Sequence, residues 1–327
     1  MTTPLLEVAG LRVEFRTRDG VAHVLNGVDY HVDAGETLAV LGESGSGKSV
    51  TANTVMGILP TPQALVTGGS VRYRGEELLT ATPQRRRELR GEHIAMVFQD
   101  ALSALNPVFT VGFQIAEQLR TRRGMSRCDA ENRAVELLDM VGIPLARRRV
   151  RDHPHQFSGG MRQRVMIAMS LALDPDVLIA DEPTTALDVT VQAQIMDLLA
   201  EIQAERQMGL VLITHDLGVV AEVSDRIAVM YAGRIVENAD VHSLYANPCH
   251  PYTRALLESI PRVDTKGTAL RAIRGLPPSL THIPSGCPFH PRCPIAVERC
   301  HEEVPPLEAL PAGRSSACLF AEELVAR

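Results

Sequence analysis

The chain has 327 residues, enough for one large α/β domain or a domain with an extension, and its 45% hydrophobic content supports a sizeable core. A net charge of −6 argues against a general nucleic-acid binder. No apolar run approaches the roughly 18 residues that cross a bilayer, and residues 1–7 lack the basic-then-apolar pattern of a secretory signal, so cytoplasmic residence is expected.

In chain order, residues 11–15 alternate like a strand, with Arg18-Asp19-Gly20 as the turn, and residues 28–32 read as a second strand. Residues 37–41 form a buried strand that runs into Gly42-Glu43-Ser44-Gly45-Ser46-Gly47-Lys48-Ser49, a complete G-x-x-x-x-G-K-S phosphate loop. A helix is predicted from Lys48, stopped by Pro60 and Pro62. Residues 94–98 are a further apolar run, ending at Gln99, and residues 111–142 turn helical. A basic, loop-like stretch then leads through His153-Pro154-His155 to Phe157-Ser158-Gly159-Gly160-Met161, and residues 161–173 suit a buried helix. A core strand at 177–180 precedes Asp181-Glu182; a helix at 189–206 and a strand at 210–214 place His215 at a strand end. Residues 227–230 and 235–236 flank an Ala232-Gly233 turn. Strands alternating with helices predict a mainly parallel sheet. From about Asn247 prolines dominate, and residues 276–293 are too proline-rich for an ordinary helix or central strand. A separate C-terminal module is expected from about residue 258.

The phosphate loop carries the first chemistry. Gly45 and Gly47 let successive N–H groups of the loop, Ser44 and Ser46 included, turn toward an anion, and the following helix adds its positive end. Lys48 is expected to neutralise the β and γ oxygens of a nucleotide, and the Ser49 hydroxyl to ligate Mg²⁺. Asp181, at the end of an apolar strand, suits Mg²⁺ or its waters, and Glu182 a general base; an acidic pair there also suits a helix cap. Gln99 and His215, both at strand ends, are candidates to sense Mg²⁺ or the attacking water and to contact the γ-phosphate. The clusters Arg85-Arg86-Arg87 and Arg147-Arg148-Arg149 read as solvated surface before they read as phosphate or lipid contacts.

Taken together, the phosphate loop, Gln99, the 157–161 signature, the 177–182 strand, Ala186-Leu187-Asp188 and His215 resemble, in order, the ATPase subunit of ATP-binding cassette (ABC) transporters, across about residues 5–260. The resemblance implies a P-loop NTPase core: a mainly parallel sheet, an N-terminal antiparallel β region and a helical subdomain at about 100–165, within a nucleotide-binding domain at 1–257. It implies a head-to-tail dimer in which Ser158, Gly159 and Gly160 contact the γ-phosphate held by the other subunit and Asp188 supports the interface. Phe157 and Met161 depart from the commonest Leu-Ser-Gly-Gly-Gln signature, which removes one glutamine amide. An aromatic that stacks on adenine is also implied; Phe15 is the candidate, with Val21 or His23 as alternatives, and core packing explains Phe15 equally well.

Cys287, Cys293, Cys300 and Cys318 crowd into the C-terminal segment, where four thiolates suit a tetrahedral zinc or a [4Fe–4S] cluster, with unligated thiols as the alternative. Asn247-Pro248, His250-Pro251-Tyr252-Thr253 and residues 286–294 resemble the C-terminal extension of oligopeptide and dipeptide importer ATPases, so 258–327 is expected to be such an extension. In that branch these cysteines imply [4Fe–4S] ahead of zinc. It further implies two permease subunits, a second and non-identical ATPase, an extracytoplasmic peptide-binding protein, and a peripheral place on the cytoplasmic face of the membrane, with no nucleic acid. The expected function is ATP-driven peptide uptake. Nickel chelates or glycosides as cargo, or a soluble ABC ATPase acting on ribosomes or DNA, are the alternatives.

Overall fold

The computed structural model describes residues 3–185, 187–259 and 273–325. Ala186 of the expected dimer-contact loop, and the stretch that follows the expected boundary near 258, lie in part outside the described residues. The strands are β1 (Leu6–Thr17), β2 (Gly20–Val32), β3 (Thr37–Leu41), β4 (Ala64–Tyr73), β5 (Glu76–Glu77), β6 (Ile94–Val97), β7 (Val177–Asp181), β8 (Gly209–Ile213), β9 (Arg226–Tyr231), β10 (Arg234–Asp240), β11 (Glu308–Ala309) and β12 (Ser315–Ser316). The principal helices are α1 (Lys48–Met56), α2 (Pro83–Glu92), α3 (Ala101–Ala104), α4 (Val111–Arg123), α5 (Arg127–Met140), α6 (Ala146–Arg149), α7 (Gly159–Ser170), α8 (Val189–Arg206), α9 (Leu217–Val223), α10 (Val241–Ala246) and α11 (Pro251–Glu258).

The chain divides into two compact units, one formed by residues 1–32, 37–79 and 214–327 and the other by 33–36 and 80–213. In the first, β2-β1-β4-β5 make an antiparallel sheet, and β11-β12-β10-β9-β3 a second group in which only β3 and β9 run parallel. β3 is buried at all five positions, as expected of a strand covered on both faces. Helix α1 ends at Gly57, left-handed at φ 61°, before either proline is reached. The core of this unit joins Leu41, Val229 and Tyr231 to Tyr252 of α11 and to Phe289, with Cys287 and Cys293 packed against it.

Phe289 is 1% exposed and meets Tyr231 edge to face at 5.3 Å and Tyr252 at 5.4 Å. Such a ring contributes by area and by its quadrupole. Phe289→Ala is therefore expected to cost about 3–5 kcal/mol in urea unfolding. A loss below about 1 kcal/mol would show that this segment is not part of the core.

In the second unit β6, β7 and β8 are parallel, with Val97 opposite Ala180 and Asp181 opposite Ile213. Helices α4, α5 and α7 pack on one another. The basic stretch expected as loop contains the short helix α6, whose residues Arg147, Arg148 and Arg149 lie in its last turn. Among the described residues no helix is long and apolar enough to cross a membrane.

Candidate nucleotide site

In the first unit, β3 delivers the chain into the phosphate loop and α1 begins at Lys48. Gly47, the N-cap, has φ 109°, and a Cβ there would lie 2.7 Å from Leu25 and 2.8 Å from Met230, so both the turn and the packing demand glycine. Lys48 is only 6% exposed; its Nζ donates to the Gly42 and Glu43 carbonyls at 2.8 and 3.0 Å. The ammonium thus sits inside the curl of the loop. Ser46 Oγ is buried there without a hydrogen-bond partner, and Ser44 and Gly45 stand on the exposed rim. Ser49 follows in the first turn of α1. An unsatisfied hydroxyl, a buried cation and a helix N-terminus together fit a polyphosphate.

His215, exposed, immediately precedes Asp216, the N-cap of α9, whose carboxylate accepts from the Gly218 and Val219 amides. Phe15 is half-buried in β1 opposite Ala22 and Ala64. Of its alternatives, Val21 is exposed, and His23 Nδ1 lies 3.1 Å from Glu14.

In the second unit, Asp181 ends β7 and is buried. Glu182 leaves the strand with φ 47°, rare for a side chain of that size, and its amide donates to the Ile213 carbonyl at 2.8 Å. Its Oε2 accepts from Gln99 Nε2 and Thr185 Oγ1, each at 2.9 Å. Gln99 and Glu182, 83 residues apart in sequence, are thereby brought together; neither Asp181 nor Glu182 is a helix cap. Ser158 is the N-cap of α7 and accepts from the Met161 amide at 3.4 Å, with Gly159 exposed beside it. A Cβ on Gly160 would come within 2.5 Å of Val191, so the close approach there requires glycine. Asp188 is the N-cap of α8 and accepts from the Val191 amide at 3.0 Å.

The four C-terminal thiols of Cys287, Cys293, Cys300 and Cys318 line one small cavity with Phe289, His290 and Phe320. All are free cysteines, and burial raises the Cys287, Cys293 and Cys318 thiols, Cys318 to about 11 with its three cysteine neighbours adding to the rise. Among the described residues no group of three or more His, Cys, Asp or Glu side chains is arranged to hold a metal ion. Protonated thiols gain little by close approach, and thiolates repel until a cation joins them. The donor set suits a sulfur-loving group in chemistry.

Two features escaped the sequence reading. Phe98, Leu102, Val108, Phe109 and Phe113 form a run of exposed apolar side chains around α3 and the start of α4, with the last two rings stacked at 4.7 Å. Glu43, an unremarked position of the phosphate loop, is bound by Arg292 from far along the chain. Apolar runs could have hinted at the first; no local signal marks the second.

Residues 25–185 match the ABC transporter family, and residues 236–300 the oligopeptide/dipeptide transporter C-terminal region. The oligopeptide transport ATP-binding protein OppD of Salmonella typhimurium is 50% identical over 96% of this chain and 93% of its own length. OppD of Bacillus subtilis is 48% identical over 93% and 86%. Among solved structures, the dimeric bacterial ABC transporter cassette MJ0796 superposes with a TM-score of 0.65 at 28% identity, covering 72% of this chain and 98% of that one. The same protein in a post-hydrolysis state bound to ADP and Pi superposes equally well. With its ABC core and this C-terminal region, the chain belongs to the ABC transporter ATPase family, in the group that carries the oligopeptide/dipeptide transporter C-terminal region.

Proposed function

We propose that this chain is the ATP-hydrolysing subunit of a peptide importer. The observation that carries the reading is a phosphate loop with a buried Lys48 in a chain about half identical to OppD along nearly its whole length. Lys48 and the loop amides bind the phosphates; Ser49 would ligate Mg²⁺, as would Gln99 and Asp181, and the ion would supply positive charge to the phosphates. Glu182 accepts the proton of the attacking water, and His215 contacts the γ-phosphate. Ser158, Gly159 and Gly160 close on the nucleotide of a second ATPase subunit, and Asp188 borders that contact. Phe15 stacks on adenine. The cassette spans 1–257, with its helical part at about 100–165, and 258–327 is the importer-type extension.

The exposed apolar run from Phe98 to Phe113 supports docking on permease subunits, since water-facing rings of this kind favour burial by a partner. Two permeases, a non-identical second ATPase and an extracytoplasmic peptide-binding protein complete the assembly, with this chain peripheral on the cytoplasmic face. Affinity purification from the native host in mild detergent with ATP and Mg²⁺, followed by mass spectrometry, is expected to recover permeases and a second ATPase. Ribosomal or DNA-repair partners without a permease would overturn the transport reading.

For the cysteine cavity the favoured occupant is a [4Fe–4S] cluster over zinc. The lining of one cavity by all four thiols supports a thiolate-held group there, and the resemblance to the importer branch favours the cluster. Anaerobic purification is expected to give a coloured protein containing iron and acid-labile sulfide, and Cys318→Ser to lose both. Stoichiometric zinc without iron would reverse the choice.

A further inference from the structure

A carboxylate inside a loop that binds polyphosphate is an electrostatic anomaly: like charges at short range repel, and burial strengthens the effect. Glu43 is the second residue of the phosphate loop, and its side chain is only 25% exposed. Arg292 answers it. The guanidinium, 4% exposed, grips the Glu43 carboxylate as a fork, Nη1 to Oε2 at 2.6 Å and Nη2 to Oε1 at 2.9 Å. Its other N–H groups are also placed: Nε donates to the Arg274 carbonyl at 2.9 Å, Nη1 to Tyr231 Oη at 3.3 Å and Nη2 to the Gly275 carbonyl at 3.5 Å. Five donors used in one fixed plane leave the fork no alternative seat, which lysine could not reproduce.

The backbone of the same loop residue is held by a second support. The Glu43 amide donates to Tyr252 Oη at 2.9 Å, and Tyr252, wholly buried, packs tilted against Tyr231 with ring centres 4.5 Å apart. The Arg292 guanidinium lies 5.8 Å from the Tyr231 ring centre and 5.9 Å from that of Phe289. A guanidinium stays cationic throughout the working pH range, so the pairing with Glu43 is always between full charges. Arg292 stands next to Cys293, so a single side chain links the Cys-rich segment to the loop around Lys48.

We propose that Arg292 is a positioning residue of the nucleotide site: by neutralising and orienting Glu43 it keeps the phosphate loop open to a nucleotide triphosphate. The inference rests on the reading of that loop as the ATP site and adds a residue outside every nucleotide motif. It acts through Glu43 and needs no contact with ATP.

The test is a fluorescence titration of the purified full-length chain with a fluorescently labelled ATP and Mg²⁺. Arg292→Ala, which strands the Glu43 carboxylate beside the bound phosphates, is expected to raise the nucleotide Kd about tenfold. Adding Glu43→Gln in the same chain is expected to restore Kd to within about threefold of the parent, because the repelling charge is gone. A purely structural role for Arg292 gives no such rescue. An Arg292→Ala variant that binds as the parent does, or a double variant as weak as the single one, overturns the proposal. Where Arg292→Ala yields no folded protein, Arg292→Lys is read in the same way: weakened binding rescued by Glu43→Gln supports it, and unchanged binding overturns it. Lys48→Ala serves as the control. Normal binding there would sink the nucleotide-site reading itself, whereas lost binding there beside an indifferent Arg292→Ala sinks only this inference.

Discussion

Glu182→Gln is expected to lower ATP turnover by about 10²–10⁴-fold, the range for removing a general base, while ATP binding stays within a few-fold of the parent. The fold gives the substitution little to disturb. The Glu182 Oε2 that accepts from Gln99 and Thr185 is replaced by an amide oxygen of the same shape, and the φ of 47° and the amide bond to Ile213 belong to the backbone. The negative charge and the capacity to take a proton are lost. Phosphate release measured beside a nucleotide titration on the same preparation separates the two effects. A variant that keeps a tenth or more of the parent turnover removes Glu182 from the role of base.

Lys48→Ala is expected to weaken ATP binding by about 10²-fold or more, because charge-assisted hydrogen bonds to the phosphates contribute about 1.5–3 kcal/mol each. The Gly42 and Glu43 carbonyls already hold the ammonium in place, so little side-chain order remains to be lost when a nucleotide arrives. Thermal unfolding provides the readout. At ATP near 100 times Kd the parent gains about 2.7 kcal/mol of apparent stability, and the variant is expected to gain almost none at the same concentration. An unchanged shift on adding ATP would count directly against the loop as the site.

Much of this was legible in residues 37–49 and 177–182 because the signals there are local. A fully buried strand is a short apolar run, and a phosphate loop needs glycines at fixed offsets before a helix. The helix at Val189–Arg206 was legible for the same reason, its start marked by the capping residue Asp188. β4, which pairs antiparallel with β1, was not. Its centre, Thr67-Gly68-Gly69-Ser70, carries little β propensity, and the ladder from Leu6 opposite Tyr73 to Phe15 opposite Ala64 makes it a strand. The end of α1 lies at Gly57, whose left-handed backbone closes the helix before the prolines expected to stop it.

The sequence by itself determined the family, the order of its motifs and the residue types that handle phosphate, since each depends on neighbours a few positions apart. The tertiary structure alone decided which distant groups face one another. It placed Gln99 on Glu182, gathered four thiols around one cavity, and set Arg292 against Glu43 across 249 positions. Such pairings follow from how strands and loops are packed by burial of a core, for Arg292 and Glu43 that of Tyr231, Tyr252 and Phe289, and no window along the chain contains that information.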